Sequence, residues 1–321
     1  MTSRTVATAG TLGVLAGLAL DAALGDPSRW HPVAGFGQAA TTVQTKVEKD
    51  SRAAGVAFVA LTVAPCVAAG VAGERLAGRS AARYGGLTAL TCFSVVAGRS
   101  LRREARAIQQ SLNDGDLPAA RQRLRSLCGR DASTLDEADL SRAVVESLAE
   151  NTSDAVIGPL VWWSLGGLPG LVGYRAVNTL DAMVGHHSPR YERFGWAAAR
   201  LDDLANLVPS RLGGAIATLS APLLSGDPRR ALDTWRRDAS AHPSPNAGVV
   251  EAAFAGALDL RLGGRIDYPY GPSERPLLNA HGRAPTTADI GRAVRLSRLV
   301  QAGAVATCVA ARLLLTRRGR R

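Results

Sequence analysis

Six charge-free, apolar stretches alternate with polar segments along this chain. They cover residues 5–20, 53–73, 84–98, 155–174, 212–226 and 299–311. A helix needs roughly 17–25 mostly apolar residues to cross the hydrocarbon core of a bilayer, where an ionised side chain is costly. The second and fourth stretches meet that length, and the others reach it only if arginines at their ends extend toward the headgroups. The pattern predicts an all-α, polytopic helical membrane protein.

The stretch over residues 155–174 has a composition that interrupts a helix. It carries the glycines Gly158, Gly166, Gly167 and Gly170 and the prolines Pro159 and Pro169. Irregular backbone at membrane depth is tolerated only where protein or a water-filled cavity satisfies its polar groups. We therefore expect one broken or re-entrant segment near a site, with a plain span as the alternative.

A polar, arginine-rich segment occupies residues 99–150. Apolar residues recur there at the spacing of an amphipathic helix, at Leu101, Ala105, Ile108 and Leu112. Seven arginines lie between residues 99 and 125, and the positive-inside rule places such a segment in the cytoplasm. The loop 21–52 is then cytoplasmic as well. The basic tail over 317–321 predicts a cytoplasmic C-terminus.

These patterns divide the chain into three predicted regions. Residues 1–98 form N-terminal membrane helices with a cytoplasmic loop over 21–52, and residues 99–150 form the amphipathic cytoplasmic segment. Residues 151–321 form a motif-rich catalytic region with further membrane helices. The expectation is a multi-pass protein of the cell (inner, cytoplasmic) membrane.

The net charge raises the question of a nucleic-acid partner. Lys and Arg number 38 against 27 Asp and Glu, a formal net charge of +11, yet only 20% of residues are charged and 46% are hydrophobic. Lys and Arg neutralise phosphates in nucleic-acid complexes. No run of aromatic residues interleaved with basic ones accompanies them in this sequence. We therefore expect a lipid bilayer and no nucleic acid as partner.

Acidic residues gather directly before the glycine-rich stretch. Glu146 and Glu150 are four residues apart on one helical face, and Asn151 and Asp154 follow. A solvated acidic helix end is one interpretation. The other is a magnesium site, because Mg²⁺ prefers one or two carboxylates and keeps waters for substrate phosphates.

Two further polar groups follow the glycine-rich stretch. In the first, Arg175, Asn178 and Asp181 align loosely on one side of a helix, ahead of the adjacent His186 and His187. The second places Asp203 and Asn206 on one helical face and includes three arginines suited to phosphates or carboxylates, Arg193, Arg200 and Arg211. A membrane-interface belt is the alternative for Arg193.

In a last group, Asn246 is placed to cap a helix of small residues that carries one acid, Glu251. Helix packing explains the alanines and glycines but not the acid. None of these groups contains a Walker A loop, a dinucleotide fingerprint, a nucleophile elbow or a zincin motif. The residues by themselves do not choose between an enzyme and a transporter.

Taken together, these strings resemble the CobD/CbiB family, the adenosylcobinamide-phosphate synthases. The resemblance runs through nearly the whole chain in order: Gly25-Asp26-Pro27 with His31-Pro32-Val33, Glu150-Asn151 through Pro159, Tyr174-Arg175 to His186, Arg193-Phe194-Gly195, Leu201-Asp202-Asp203 through Arg211, and Ser244-Pro245-Asn246 with Glu251. Several long and individually unusual strings agree.

The resemblance implies an enzyme of cobalamin (vitamin B12) biosynthesis. Such an enzyme joins (R)-1-aminopropan-2-ol phosphate, or a related amino-alcohol, to the propionate carboxylate of adenosylcobyric acid, with ATP as co-substrate and Mg²⁺ as cofactor. Association with other late cobalamin enzymes is a further expectation. A corrinoid membrane transporter and a membrane scaffold for corrinoid enzymes are the alternatives.

For such a reaction we assign roles to the polar residues as a hypothesis. Catalytic candidates are Glu150, Asp154, Asp181, Asp203 and Glu251, of which Glu150, Asp154 and Asp203 are the magnesium candidates. Substrate-binding candidates are Asp26, His31, Asn151, Arg175, Asn178, His186, Arg193, Arg200, Arg211 and Asn246.

Overall fold

The computed structural model describes residues 3–26, 31–78, 80–186, 188–268 and 271–318. The helices are α1 Ser3–Leu24, α2 Pro32–Val47, α3 Arg52–Ala77, α4 Ala81–Val95, α5 Gly98–Asn113, α6 Leu117–Leu124, α7 Glu137–Thr152, α8 Gly158–Leu180, α9 Trp196–Ala205, α10 Leu207–Ser220, α11 Pro228–Asp238, α12 Ala247–Leu258 and α13 Thr287–Arg318. The fold is 77% helical, which confirms the all-α prediction. Pro27 and His187 of the predicted motifs and residues 319–321 of the tail lie outside the described residues.

Five helical segments of the described chain are long and apolar enough to cross a membrane. They are Thr5–Leu24, Arg52–Ala77, Glu137–Gly185, Leu207–Leu224 and Thr287–Thr316. The apolar stretch over 84–98 is not among them, because α4 ends at Val95 and is only 15 residues long. The membrane character is confirmed, with segments that differ in detail from the charge-free stretches.

The chain divides into two compact units. Unit 1 comprises Met1–Arg99, Gly158–Asn206 and Val305–Arg321, and unit 2 comprises Ser100–Ile157 and Leu207–Ala304. In unit 1, α1 and α4 run side by side in the same direction, because Gly13 lies against Gly85 and Gly17 against Ala89. Small residues at such positions let two helix backbones approach closely.

Helix α8 is broken at Gly167, as the glycine-rich composition predicted. Gly167 has φ 64° and ψ −143°, a conformation that glycine adopts and other residues avoid. The chain then folds back on itself, since Gly170 lies against the Trp162 carbonyl oxygen and Gly158 against the ring of Tyr174. A straight helix would hold residues eight positions apart at about 12 Å from each other. The segment is a helical hairpin with its tip at Gly167.

Charged side chains of neighbouring helices satisfy backbone groups exposed at this tip. The Leu168 amide donates to Glu74 Oε1 at 3.0 Å, and Arg312 Nη1 donates to the Ser164 carbonyl oxygen at 3.5 Å. A carboxylate thus lies at the start of the second half-helix and a guanidinium at the end of the first. These are the placements that the helix dipole favours.

Unit 1 also bears on the predicted sidedness. Tyr84 donates to Glu74 at 3.3 Å, so the tip of α8, Arg312 and the start of α4 lie at one end of this unit. Arg99, whose amide donates to Asp21 at 3.1 Å, follows the other end of α4. If α1 and α3 cross the bilayer with α4 beside them, these two ends lie on opposite sides. The cytoplasmic placement of Arg99 and of the C-terminal tail stays a prediction.

In unit 2, α12 lies at the centre of the packing, and every residue from Ala247 to Leu258 is buried. The predicted apolar positions of α5 are buried as well, at Leu101, Ala105, Ile108 and Leu112. An antiparallel hairpin of β1 Leu262–Tyr268 and β2 Gly271–Leu278 follows α12. The sequence patterns did not predict this hairpin.

Candidate active site

Six ionisable side chains of unit 2, two of them on α7, form what we call the acid–arginine cluster: Arg130, Glu146, Glu150, His242, Glu251 and Arg275. Its innermost contact is an ion pair between Arg130 Nη2 and Glu146 Oε2 at 2.5 Å, with side chains that are 12% and 2% exposed. The Gly263 amide, on β1, donates to the other oxygen of Glu146 at 2.7 Å. Glu146 is therefore held by Arg130 through one oxygen and by the Gly263 amide through the other.

Glu251 is the acid that α12 buries among alanine and glycine. Close packing surrounds it, because Gly213 of α10 lies against Val250 and Gly256 lies against Ala231 of α11. Burial, followed by repulsion from Glu146 and Glu150, raises the pKa of Glu251 well above its usual range, although Arg130 and Arg275 oppose the shift. Such a carboxyl group exchanges its proton nearer to neutral pH than an exposed one does.

His242 precedes α12 and lies against its first turn. Gly248 makes this possible, because a Cβ there would come within 2.5 Å of the Cβ of His242. Donors face both ring nitrogens, since Arg275 Nη1 is 2.8 Å from Nε2 and the Ser244 amide nitrogen is 3.0 Å from Nδ1. The Ser244 carbonyl oxygen also lies 3.2 Å from Nδ1.

The neutral ring accepts at one nitrogen only, so one of the two donors loses its bond. The contact with the charged Arg275 is the stronger of the two, and a guanidinium can only donate. Nε2 is therefore the acceptor, and Nδ1 carries the proton and donates to the Ser244 carbonyl oxygen. A doubly protonated ring would lose the bond from Arg275 as well.

The charge state of His242 follows from the same surroundings. Burial and the neighbouring Arg275 lower the pKa of His242 to about 4. Its Nε2 lies 3.9 Å from Glu251 Oε2. At neutral pH the cluster therefore presents a neutral imidazole beside a carboxyl group that keeps its proton to unusually high pH.

Glu150 lies at the edge of the cluster. It is exposed, whereas the residues of α7 from Ala143 to Ala149 are buried. Electrostatic interactions link it to the two arginines and to Glu146. Next to it, Asn151 donates to the Ser147 carbonyl oxygen at 2.9 Å, and a π-helical turn over Ser153–Ile157 contains Asp154.

A second contact group in unit 2 lies at the start of α12. Arg211 Nη1 donates to Asn246 Oδ1 at 2.7 Å, and the buried Ser210 donates to the same oxygen at 3.0 Å. Asn246 begins α12 without a capping bond from its own side chain. Two residues that were predicted separately, Arg211 and Asn246, are thus in contact, and the Asn246 side chain does not form the expected cap.

Unit 1 holds a chain of polar side chains at the end of α8 and in α9. Arg175 donates to Asn178 at 3.4 Å, and Asn178 donates to Asp202 at 3.3 Å. The other oxygen of Asp202 accepts from Asn206 at 2.9 Å, and Tyr174 donates to Asn206 at 2.8 Å. Asp202, which is buried, is therefore the acid at the centre of this chain.

The other predicted residues of unit 1 are close to this chain in sequence. Asp181 begins a π-helical turn and packs against Gly185 at its end, and the exposed His186 follows. In α9, Arg200 lies 3.5 Å from Asp203. Partial burial raises the pKa of Asp203, and Arg200 opposes this shift.

Three further predicted residues, Arg193, His31 and Asp26, form ion-pair contacts near α2 and α3. Arg193 lies 3.6 Å from Asp50, and both side chains are more than half exposed. Exposed ion pairs of this kind contribute little to stability. His31 lies 3.8 Å from Asp26, and its Nδ1 accepts from the Val33 amide at the start of α2. His31 is therefore the cap of α2.

Sequence patterns missed four members of these groups as site residues: Arg130, His242, Arg275 and Asp202. Glu146 was expected only as a neighbour of Glu150. A signal existed for Asp202, because residues four apart on a helix are closer in angle than residues three apart, and Asn206 follows Asp202 by four. No local signal pointed to Arg275, which lies on the unpredicted hairpin.

The donor chemistry of the cluster fits a magnesium ion only in part. Within the described ranges, no three His, Cys, Asp or Glu side chains converge to ligate a metal ion. Mg²⁺ requires less, since one or two carboxylates usually hold it together with waters and substrate phosphates. Glu150 is open to solvent, and Asp154 follows it by four residues on the same helical run. These two carboxylates fit such an ion, and Asp203 stays a predicted magnesium ligand.

The fold and these sites define a helical membrane protein with buried acid, amide and arginine groups suited to charged substrates. A model of the CobD/CbiB protein family matches residues 14–297, and the chain belongs to this family. Its membership gives the chain a role in cobalamin biosynthesis.

Curated relatives agree with the family model. The chain is 51% identical to the cobalamin biosynthesis protein CobD of Mycobacterium tuberculosis, over 93% of this chain and 94% of the relative. The protein of the same name from Rhodobacter capsulatus is 47% identical over 67% of each chain. That from Geobacter metallireducens is 42% identical, over 83% and 85% of the two chains. No solved structure matches this chain.

Proposed function

We propose that this protein forms the amide bond between (R)-1-aminopropan-2-ol phosphate, or a related amino-alcohol, and the propionate carboxylate of adenosylcobyric acid, with consumption of ATP. Family membership supports a corrinoid substrate. The observation that carries the proposal is Glu251, a buried acid near two arginines and a neutral histidine in an otherwise apolar helix. Such a carboxyl group is suited to proton transfer.

The proposed reaction needs an activated carboxylate and a proton acceptor. A carboxylate oxygen of the corrinoid attacks the terminal phosphorus of ATP, and ADP leaves. The amine nitrogen then attacks the acyl carbon, inorganic phosphate leaves, and the nitrogen gives its proton to a base. Guanidinium groups in a water-poor site stabilise the transferring phosphoryl oxygens more strongly than they would in water.

Glu251 is our candidate for the base. Its raised pKa brings it closer to the pH at which the enzyme works, where general bases are most effective. The ionised form, which takes the proton from the amine, therefore gains driving force for the transfer. His242, 3.9 Å away, is held neutral and supplies no competing charge. Glu146 is engaged by Arg130 and does not compete for the amine proton.

Glu150 and Asp154 would hold Mg²⁺, with the solvent-facing Glu150 as the first ligand. Bound there, the ion would neutralise charge on phosphate oxygens. We assign phosphates and propionate to Arg175, Arg193, Arg200 and Arg211, and corrin amides or the amine to Asn151, Asn178 and Asn246. Asp181, Asp203, Asp26, His31 and His186 stay predicted members of the site.

We place the protein in the cytoplasmic membrane, because ATP is available on its inner face. Association with enzymes of neighbouring steps would keep corrinoid intermediates at the bilayer. Both statements are part of the proposal.

The test uses the full chain, purified in detergent and supplied with adenosylcobyric acid, Mg-ATP and either the phosphorylated or the free amino-alcohol. Mass spectrometry detects the corrinoid amide, and a coupled assay detects ADP. Glu251→Gln should lower kcat at least about 100-fold, the usual scale for loss of a general base. Asp233→Asn, at an exposed acid of α11, is the matched control and should remain active.

Two results would contradict the proposal at different levels. Wild-type protein that yields no corrinoid amide with either amino-alcohol would refute the ligase activity. Full activity of Glu251→Gln would remove Glu251 from proton transfer and leave the reaction itself standing.

The broken helix α8 favours one alternative, a corrinoid transporter. Transporters often use interrupted helices at membrane depth to line a substrate path, and Gly167 interrupts α8. Corrinoid flux into vesicles that contain the protein, in the absence of ATP and amino-alcohol, would support transport and argue against the ligase.

A further inference from the structure

Arg275 differs from the other arginine of the acid–arginine cluster in its hydrogen-bond partners. Its Nη1 donates to His242 Nε2 at 2.8 Å, and its Nη2 donates to the Tyr268 hydroxyl at 3.3 Å. Both acceptors are neutral groups. The Nε–H group is buried and has no hydrogen-bond partner among the described residues.

The contrast with Arg130 shows what Arg275 lacks. Arg130 is committed to Glu146, with an N···O distance of 2.5 Å. Throughout the described part of the chain, no carboxylate oxygen lies within 4.0 Å of the Arg275 guanidinium. A buried donor left without an acceptor costs free energy, and a charged one costs more. A permanently charged guanidinium in this position is thus prepared for an anion that comes from outside the chain.

The surrounding charges permit such an anion to enter. Arg130 already balances Glu146, so that pair adds little repulsion. The raised pKa of Glu251 favours its neutral form more than in an ordinary carboxylate, and His242 is neutral, so both groups repel an approaching negative group less than a fully ionised acid would. Glu150 is the remaining acid, and as the exposed member of the cluster it lies where a substrate can reach the cluster.

We infer that Arg275 is the oxyanion-binding residue of the acid–arginine cluster and that its Nε–Nη edge takes a carboxylate or phosphate group of a substrate. The inference rests on the proposed function for the identity of that substrate. Two parallel N–H···O bonds from one guanidinium suit both kinds of oxyanion. The β1–β2 hairpin then has a function, because it carries the anion-binding arginine to the start of α12.

The test compares ligand binding by the full chain in detergent micelles. Wild type, Arg275→Gln, Arg275→Lys and the control Arg265→Gln are dialysed against adenosylcobyric acid in one arm and against aminopropanol phosphate or Mg-ATP in the other. Arg265 is an exposed arginine on the same hairpin. Arg275→Gln should weaken binding in at least one arm about tenfold or more, Arg275→Lys should recover part of it, and Arg265→Gln should change it little.

A second measurement uses the unmodified protein and does not depend on how the variants fold. Phenylglyoxal labels accessible arginines, and mass spectrometry reads the labelling of Arg275. The two substrate classes, and acetate and inorganic phosphate as simple probes, should protect Arg275 and leave Arg265 labelled. Protection by carboxylates alone assigns the site to the corrinoid, and protection by phosphates alone assigns it to the amino-alcohol phosphate or ATP.

The inference is overturned if none of these probes protects Arg275, or if well-folded Arg275→Gln binds all ligands as wild type does. Neither readout requires product. If the wild type binds its ligands through Arg275 but forms no amide, only the proposed function is refuted. If the wild type forms the amide and Arg275→Gln binds all ligands as tightly as the wild type, only this inference is refuted.

Discussion

Replacing Gly167 with alanine tests the break in α8. At φ 64° and ψ −143°, a residue with a side chain is strained by about 1–3 kcal/mol. The added Cβ would also collide with Glu74 Oε1. That oxygen accepts from the Leu168 amide at 3.0 Å and from the Tyr84 hydroxyl at 3.3 Å, so the carboxylate must move away from both donors.

The expected loss follows from these two effects. A hydrogen bond to a charged group contributes about 1.5–3 kcal/mol, and adding the backbone strain gives a destabilisation of roughly 3–5 kcal/mol. One kcal/mol shifts Tm by about 2–4 °C in chains of 150–250 residues. We therefore expect Gly167→Ala to melt on the order of 10 °C below the wild type.

The neighbouring Gly166 supplies the control. It is exposed, a Cβ on it would meet nothing within 4 Å, and its φ is not positive. Gly166→Ala should leave Tm unchanged or raise it slightly, because alanine favours helix by up to about 1 kcal/mol. Thermal unfolding of both variants in one detergent decides the matter. Equal Tm for Gly167→Ala and wild type would refute a break at residue 167.

Two further predictions concern the polar groups. As the pH falls from 7 to 5, the folded protein should lose roughly 2 kcal/mol of stability through His242, because its pKa of about 4 lies below the unfolded value and the unfolded chain gains the proton first. Glu251 acts in the opposite direction over this range, so the measurement compares wild type with His242→Gln. The free energy of unfolding in urea of the wild type, relative to that of the variant, should fall by this amount between pH 7 and pH 5. A difference between the two proteins that does not change with pH would contradict the prediction. Asp202→Asn should lower Tm by several degrees, because the side-chain donors of Asn178 and Asn206 lose a carboxylate acceptor, at a cost of about 1–3 kcal/mol. Asp203→Asn is the control and should leave Tm unchanged. Equal Tm values for the two variants would show that Asp202 is not the centre of this chain of polar side chains.

The helical membrane fold was predictable because its causes are local. Charge-free length predicts a helix in lipid, and glycine with proline predicts its interruption, which the structure places at Gly167. The hairpin over residues 262–278 was not predicted, because three glycines, two prolines and four charged residues within its strands obscure the alternation of apolar and polar positions. The two strands pair only with each other, so no strand pattern elsewhere in the described chain could indicate that a sheet is present.

The candidate site was predictable only where its members are neighbours in sequence. Arg175 and Asn178 do meet, as their spacing of three residues indicated. Arg130 and Glu146 are 16 positions apart, and His242 and Arg275 are 33 apart, so no helical period relates them. Only tertiary packing of unit 2 joins these pairs. The resemblance to a family could indicate which strings matter, but not which side chains face one another.

The small residues of α12 and its single acid have one physical explanation. Alanine and glycine let α10 and α11 approach α12 closely, through Gly213 against Val250 and Gly256 against Ala231. That close approach removes water from around Glu251, and removal of water is the largest cause of its raised pKa. A composition typical of helix packing is therefore also what prepares the acid for proton exchange. By the same reasoning, enlarging Gly213 would disturb both the packing and the protonation of Glu251, whereas enlarging a glycine of unit 1 that lies against a leucine, such as Gly73 against Leu87, would disturb packing alone.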